Sequence, residues 1–175
     1  MTHIAALAAG AGAGKPVSYD LNYRATLMTA EDARGMLAAV APHLELLVVA
    51  ERDARAVLGF AEEAERLAEA VVARYGVPLI GLTRPPGSEP GDLLFGAGPI
   101  RYAPRYPVEI VDRIGAGDSF VAGLIHGLLD GDPDLAIRLG SYAAAVALAT
   151  PGDINFFGAE DLAAFHADIT GALVR

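Results

Sequence analysis

The chain has no cysteine and no tryptophan among its 175 residues, and its basic residues are few. The lack of cysteine excludes disulfides, thiolate nucleophiles and zinc–cysteine sites. With 13 Lys+Arg against 22 Asp+Glu the net charge is −9, which opposes binding to nucleic acid or to an anionic membrane, so neither is expected as a partner. The histidines are far apart in sequence and lack the spacing of metal ligands, so no histidine metal site is expected. They are His3, His43, His126 and His166.

The sequence also lacks any apolar run long enough to span a bilayer, and its first residues do not have the regions of a signal peptide. We therefore expect a cytoplasmic protein. The sequence is rich in apolar residues, at 53% hydrophobic against 20% charged. This composition predicts a folded chain with a substantial core, and residues 1–175 have the length of one domain.

Strand and helix patterns alternate along the chain. Strands are predicted at Pro16–Asp20, Leu44–Ala50 and Val77–Leu82, with two short antiparallel strands near Asp92–Phe95 and Ile100–Tyr102 around a Gly96-Ala97-Gly98 turn. Helices are predicted at Thr2–Ala11, from a capping box at Thr29 and Asp32 toward His43, at Arg52–Leu58, Ala61–Tyr75 and Asp132–Ala149, and from about Gly158. The alternation predicts an α/β fold whose mostly parallel sheet is covered on both faces and binds ligands at the carboxyl ends of its strands.

The segment Val108–Leu129 carries the clearest functional signal. Its β-branched run Val108–Val111 predicts a strand, and the glycine turn Gly115–Gly117 then leads into a predicted helix. Glycines let backbone N–H groups converge where the first helical turn leaves them unpaired, which makes an anion site. Asp118 at this place is either a general base for a substrate hydroxyl or only a first-turn charge that the helix dipole favours.

The segment Asp112-Arg113-Ile114-Gly115-Ala116-Gly117-Asp118-Ser119-Phe120 resembles the GAGD signature of ribokinase-like (PfkB-type) carbohydrate kinases, usually D-T-x-G-A-G-D-x-F. The resemblance implies a ribokinase-like three-layer α/β sandwich, with Asp118 as catalytic base. It also implies an anion hole formed by the backbone N–H groups around Gly115, Ala116 and Gly117. The implied cofactors are ATP, as phosphate donor, and Mg²⁺, and the implied partner is a sugar or sugar acid.

A second candidate site follows the first predicted strand, in Asp20-Leu21-Asn22-Tyr23-Arg24. The planar fork of an arginine matches a carboxylate. The pattern D-x-N-x-R is widespread in the family, and the longer SYDLNYRATL resembles its 2-keto-3-deoxygluconate kinases. This resemblance implies that Arg24 binds the carboxylate of a sugar acid or a neighbouring phosphate, with Asn22 as a secondary contact. The alternative is a structural pair of Asp20 with Arg24.

Further candidates lie in two later segments. The loop Thr150–Asn155 also resembles the 2-keto-3-deoxygluconate kinases, and in it Asp153 either binds a sugar hydroxyl or belongs to an ordinary turn. The resemblance places the nucleotide near Thr83, with Ala144 and Ala145 flanking adenine. Small residues on a helix are also typical of close helix packing.

Two family motifs are altered here. The metal-linked N-x-x-E is replaced by Ala50-Glu51-Arg52-Asp53, so no metal ligand is assigned, although Asp53 is a candidate to replace the glutamate through a water molecule. The adenine-side T-x-G-x-x-G is replaced by the proline-rich Thr83-Arg84-Pro85-Pro86-Gly87. These changes put the handling of metal and nucleotide in question.

The resemblance spans nearly the whole chain but only the C-terminal portion of the family pattern, without its N-terminal strands and sugar lid. We therefore expect a partial kinase domain with an exposed sheet edge through which copies can pair as a homo-oligomer, and with at most weak nucleotide binding and negligible activity by itself. The predicted function is ATP-dependent phosphorylation of 2-keto-3-deoxygluconate. The alternatives are a kinase for a neutral sugar such as fructose or ribose, and a catalytically silent nucleotide-binding remnant.

Overall fold

The computed structural model describes residues 2–96, 98–104 and 106–167. The chain divides into two compact units: unit 1 takes in residues up to 88 together with 92–100, and unit 2 takes in 89–91 and the residues from 101 onward. Unit 1 contains α1 (Thr2–Gly12), β1 (Ser18–Asp20), α2 (Ala30–Val40), a 3-10 turn (Ala41–His43), β2 (Leu46–Ala50), α3 (Glu51–Ala56), α4 (Ala64–Tyr75), β3 (Leu79–Thr83) and β4 (Leu93–Gly96). Unit 2 contains α5 (Ala116–Leu129), α6 (Pro133–Leu148) and α7 (Ala159–Ala167), while β5 (Gly98–Tyr102) begins in unit 1 and ends in unit 2.

The described strands form one sheet in the order β1-β2-β3-β4-β5. β1, β2 and β3 are parallel, with Tyr19 opposite Leu47 and Leu47 opposite Ile80, whereas β4 runs antiparallel to β3. β2 is buried from Leu46 to Val49, which explains its continuous apolar sequence. The expected α/β fold with a mostly parallel sheet is confirmed; the residue at the centre of the predicted β4–β5 turn, Ala97, lies outside the described residues.

Most of the local signals in the sequence act as expected. Thr29 and Asp32 form a capping box at the start of α2, with Asp32 N donating to Thr29 Oγ1 at 3.1 Å and Thr29 N donating to Asp32 Oδ2 at 3.3 Å. Asp132 caps α6 by accepting from the N–H groups of Asp134 and Leu135 at 3.0 and 2.9 Å. Gly76 ends α4 with a φ of 69°. None of the described helices combines the length and the apolarity that crossing a bilayer requires.

The strand predicted at Val108–Val111 is wrong. This segment has no regular secondary structure, and the N–H groups of Val111 and Asp112 donate to the carbonyl of Leu148 at 2.8 and 3.2 Å. The end of this segment therefore supplies hydrogen-bond donors to a carbonyl group at the C-terminal end of α6, which has no partner within the helix. β-branched residues favour strands mainly where a pleated surface packs them, and here Ile110 and Val111 are exposed.

Unit 2 is built on a close approach of α5 and α6. A Cβ on Gly123 would lie 2.7 Å from the carbonyl oxygen of Leu139, and one on Gly140 would lie 2.9 Å from the carbonyl oxygen of Phe120. At Gly127 a Cβ would collide with the backbone of Ala136. The two helices are therefore in close backbone contact at two levels, one at Gly123 and Gly140 and one at Gly127.

We predict that Gly127→Ala destabilises the protein by about 2 kcal/mol or more, because the added methyl group overlaps backbone that cannot move aside. Gly35→Ala is the matched control, since Gly35 lies in α2 with open space around its Cβ position. The control is expected to be neutral or to stabilise by about 1 kcal/mol through helix propensity. Urea denaturation of both variants measures the difference, and equal stabilities would contradict the close packing.

Candidate functional site

The start of α5 is an open cluster of backbone donors. Gly115 is the N-cap residue, and its φ of 78° is a left-handed conformation that favours glycine. Within the described residues, the N–H groups of Ala116, Gly117 and Asp118 have no hydrogen-bond acceptor, whereas the N–H of Ser119 donates to Gly115 O at 2.9 Å. The Asp118 side chain is exposed in this same turn. The structure thus brings three unpaired donors and one carboxylate together, an arrangement that suits an anionic group.

The loop before α5 is held in shape by Asp112. Its Oδ1 accepts from the N–H groups of Arg113 and Ile114 at 2.7 and 3.1 Å, and its Oδ2 accepts from Gly152 N at 3.2 Å. The hydrogen bond from Ile114, followed by those from Gly152 and Arg113, holds the pKa of the Asp112 carboxyl below its ordinary value. Asp112 therefore joins the glycine turn to the loop that follows α6.

That later loop touches the turn directly. A Cβ on Gly115 would lie 2.9 Å from the carbonyl oxygen of Asp153, so only glycine allows this approach. Asp153 is exposed, and its backbone lies beside the glycine turn at Gly115. Of the residues expected in the site, the structure thus places Asp153 next to the proposed anion hole.

Asn155 links its own loop to α5 and α6, a role that its place in the sequence does not indicate. Its Nδ2 donates to Ser119 Oγ on α5 and to the carbonyl of Ala143 on α6, both at 2.9 Å. Its Oδ1 accepts from Phe157 N at 3.0 Å. An asparagine in a loop between helices gives no periodic signal, so only the fold shows these contacts.

The two alanines expected near adenine lie on α6. Ala145 is buried and Ala144 is half-buried. The burial of Ala145 agrees with its role in helix packing, the alternative considered from the sequence. Ala144 has the more accessible surface of the two.

In unit 1 the chain stays hydrogen-bonded to β2 for one residue after β1 and then turns. The N–H of Leu21 donates to Val48 O at 3.0 Å, and Asn22 N donates to Asp20 Oδ1 at 3.1 Å. Asn22 has a φ of 34°, in the left-handed region that asparagine tolerates better than most residues. Arg24 is exposed, and its Nη1 donates to Tyr23 O at 3.4 Å.

A hydrogen bond joins the two ends of the proline-rich segment after β3. Thr83, the half-buried last residue of β3, precedes Arg84, whose N–H donates to Asp92 Oδ1 at 2.7 Å. Ser88 N donates to Pro85 O at 3.0 Å within the loop. Residues 84–92 thus form a closed loop at the carboxyl end of β3 where the resemblance implies a T-x-G-x-x-G turn.

The acidic residues at the start of α3 are engaged by arginines. Glu51 accepts from Arg55 Nη2 and from Arg84 Nε, each at 2.9 Å. Burial opposes ionisation of Glu51, but the hydrogen bonds from Arg55 and Arg84 outweigh it and hold the pKa of Glu51 below its ordinary value. Asp53 is buried, and Arg52 binds both of its carboxylate oxygens at 2.9 and 3.2 Å.

These contacts bear on the metal expected from the resemblance. Both oxygens of Glu51 and both oxygens of Asp53 already accept from guanidinium groups. Across the described residues no group of three or more His, Asp or Glu side chains is placed to hold a metal ion. The residues of this segment therefore do not fit a protein-bound Mg²⁺ site.

Comparison with known proteins identifies the family. The model of the pfkB family carbohydrate kinases matches residues 2–159, so the chain belongs to this family. It is 34% identical over 143 residues to the 2-dehydro-3-deoxygalactonokinase of Haloferax volcanii, a match that covers 81% of this chain and 44% of the relative. It is 33% identical over 150 residues to a fructokinase of Klebsiella pneumoniae, covering 85% and 47% of the two chains.

The fold agrees with this assignment. The crystal structure of 2-dehydro-3-deoxygluconokinase from Thermotoga maritima superimposes with a TM-score of 0.81 at 31% identity, covering 93% of this chain and 53% of that one. The ribokinase-like fold expected from the sequence is thereby confirmed. The chain spans about half the length of the relatives it matches.

We predict that Glu51→Gln lowers the free energy of unfolding by about 2 kcal/mol at pH 7, because Arg84 and Arg55 lose a charged partner. A carboxyl whose folded pKa is depressed stabilises the protein above its unfolded pKa, and this contribution is lost as the pH falls through the folded pKa. The difference between wild type and variant should therefore shrink below about pH 4.

Denaturation midpoints between pH 7 and pH 3 measure this difference. Glu69→Gln on the exposed face of α4 is the control and should match wild type at every pH. A Glu51 variant with a constant deficit over the whole pH range would contradict the assignment of the acid dependence to this ion pair.

Proposed function

We propose that this chain takes part in ATP-dependent phosphorylation of a sugar-acid hydroxyl, with 2-keto-3-deoxygluconate as the substrate. The observation that carries the proposal is the first turn of α5, where three unpaired backbone N–H groups and the exposed Asp118 carboxylate stand together. Membership of the pfkB family supports a carbohydrate as the phosphoryl acceptor.

The proposed mechanism uses these groups directly. Asp118 takes the proton of the acceptor hydroxyl while the hydroxyl oxygen forms a bond to the γ-phosphorus of ATP. The bond from that phosphorus to the bridging oxygen breaks, and ADP leaves with the electron pair. The unpaired N–H groups of Ala116, Gly117 and Asp118, in the turn that begins at Gly115, stabilise the charge on the phosphoryl oxygens, and because they belong to a helix they need no reorganisation.

The proposed substrate contacts are Arg24, Asn22 and Asp153. Arg24 is exposed in the loop after β1 and carries the planar fork that suits a carboxylate. Two of the relatives act, by name, on 2-keto-3-deoxy sugar acids, which supports an acid substrate. The similarity to a fructokinase supports a neutral sugar as the second candidate.

On the nucleotide side we propose Thr83 and Ala144 as contacts of ATP, with Ala145 supporting the helix from within. Because Glu51 and Asp53 are occupied by arginines, we propose no step through a metal held by those side chains. Mg²⁺ generally binds the phosphates of the nucleotide and keeps several waters, so it does not require a cage of protein side chains.

We predict that Asp118→Asn lowers phosphoryl transfer by about 10²–10⁴-fold and leaves the affinity for ATP largely unchanged, because the amide cannot accept the proton. The variant is assayed in the complete reading frame that encodes this chain, with ADP release as the signal. Asp130→Asn, at the other end of α5, is the control and should retain wild-type turnover. An Asp118 variant with wild-type turnover would refute the general-base role, and ATP binding without transfer by wild type would favour a silent remnant.

We predict that Arg24→Ala raises the KM for 2-keto-3-deoxygluconate by at least about tenfold, since the carboxylate loses a charge-assisted pair. The KM for ATP should change little. Arg66→Ala on the exposed surface of α4 is the matched control. Steady-state kinetics with the acid and with fructose distinguish the candidates: equal losses for both sugars would show that Arg24 does not select the carboxylate.

A further inference from the structure

Asn155 lies in an irregular loop, yet its side chain takes part in three hydrogen bonds. Its amide orientation is fixed by its partners, because the carbonyl of Ala143 can only accept and the N–H of Phe157 can only donate. Both N–H donors of the amide are used, one on Ser119 Oγ and one on Ala143 O. The side chain is therefore held in one orientation by α5, α6 and its own loop.

The partner on α5 is significant because of its position. Ser119 is buried and immediately follows Asp118 in the first turn of the helix. The partner on α6 immediately precedes Ala144. Asn155 thus connects the turn that carries the proposed base with the helix that carries Ala144.

An open cavity of about 370 Å³ lies beside this contact. Its lining includes Asn155, Ser119 and other residues of α5, α6 and α7. Beyond Asn155 the loop is fixed by Phe157, whose ring packs edge-on against Tyr142 at 5.4 Å between centroids.

We propose that Asn155 is a positioning residue for phosphoryl transfer: through Ser119 it fixes the first turn of α5, and with it Asp118, against α6. This inference rests on the proposed function. Asn155 acts without touching the reacting atoms, and its effect on the reaction passes through the hydrogen bond to Ser119. A misplacement of about 1 Å at a reacting group is enough to lower turnover by about 10²-fold.

The first experiment measures the turn itself and needs no ligand. Amide hydrogen exchange is followed in wild type, Asn155→Asp and Ser119→Ala. Asn155→Asp keeps the size of the side chain and the bond to Phe157 but sets a carboxylate oxygen against the carbonyl of Ala143. Exchange at Ser119 and Phe120, the first amides of α5 bonded within the helix, should accelerate about tenfold. Exchange in β2 and β3 should not change.

The second experiment separates positioning from stability. In the complete reading frame, kcat per folded molecule should fall about 10- to 100-fold in Asn155→Asp, with the KM values for ATP and sugar changed less than about threefold. Ser119→Ala should lower kcat in the same direction. Phe156→Ala, an exposed residue of the same loop, is the control and should match wild type.

The outcomes distinguish this inference from the function on which it rests. If wild type transfers no phosphoryl group, the proposed function fails, and the exchange comparison alone decides whether Asn155 fixes the turn. Unchanged exchange at Ser119 and Phe120 would overturn the inference whatever the activity. An evenly accelerated exchange throughout unit 2 with unchanged kcat would show a merely structural residue and would also overturn it.

Discussion

The backbone contact between α5 and α6 is the constraint on which the rest of unit 2 depends. The helices are brought so close by Gly123 and Gly140 at one level, and by Gly127 at the next, that a single methyl group would separate them. The direction of α5 is thereby fixed, and the hydrogen bond from Asn155 to Ser119 adds a contact at its first turn, where the unpaired N–H groups lie. Packing in the interior of the unit thus determines the geometry of its surface site.

The same constraint explains why the two loops at this end can be irregular. Each loop is held by hydrogen bonds of a side chain and not by pairing between strands. In the loop before α5, Asp112 accepts from Gly152 N. In the loop after α6, Asn155 donates to Ser119 and to Ala143. Because both loops attach to helices that cannot move apart, a few hydrogen bonds are enough to define their shape. Gly115 completes the arrangement by allowing the backbone of Asp153 to approach the turn.

The sequence predicts well whatever depends on neighbours along the chain. The capping box at Thr29, the cap at Asp132 and the parallel strands were all readable, since caps and buried apolar runs are local patterns. The glycine turn before Asp118 was readable for the same reason. The strand expected at Val108–Val111 was wrong, and the N–H groups of Val111 and of the following Asp112 are used instead at the end of α6, a partner that is distant in sequence.

The contacts of the candidate site that the sequence did not reveal are also long-range ones. The pairing of Glu51 with Arg55 is visible in the i, i+4 spacing, but the contact of Glu51 with Arg84 spans 33 residues and exists only because β2 and β3 end side by side. Asn155 and Ser119 are 36 residues apart, and nothing in their spacing indicates a contact. Such pairs follow from topology, which periodicity alone does not determine.

The acidic composition makes backbone donors the natural means of holding an anion. With a net charge of −9, the protein already engages Arg52, Arg55 and Arg84 with its own carboxylates. Backbone N–H groups at a helix start carry no side-chain entropy and keep their donors at every pH, so they can bind phosphate without an arginine. The negative charge of the nearby Asp118 opposes this binding only moderately, because Asp118 is exposed to solvent. At the effective dielectric of a protein surface or of water, two like charges about 4 Å apart repel by about 1–4 kcal/mol. Three converging amides can offset a repulsion of that size, so a carboxylate base and an anion hole are compatible within one turn of helix.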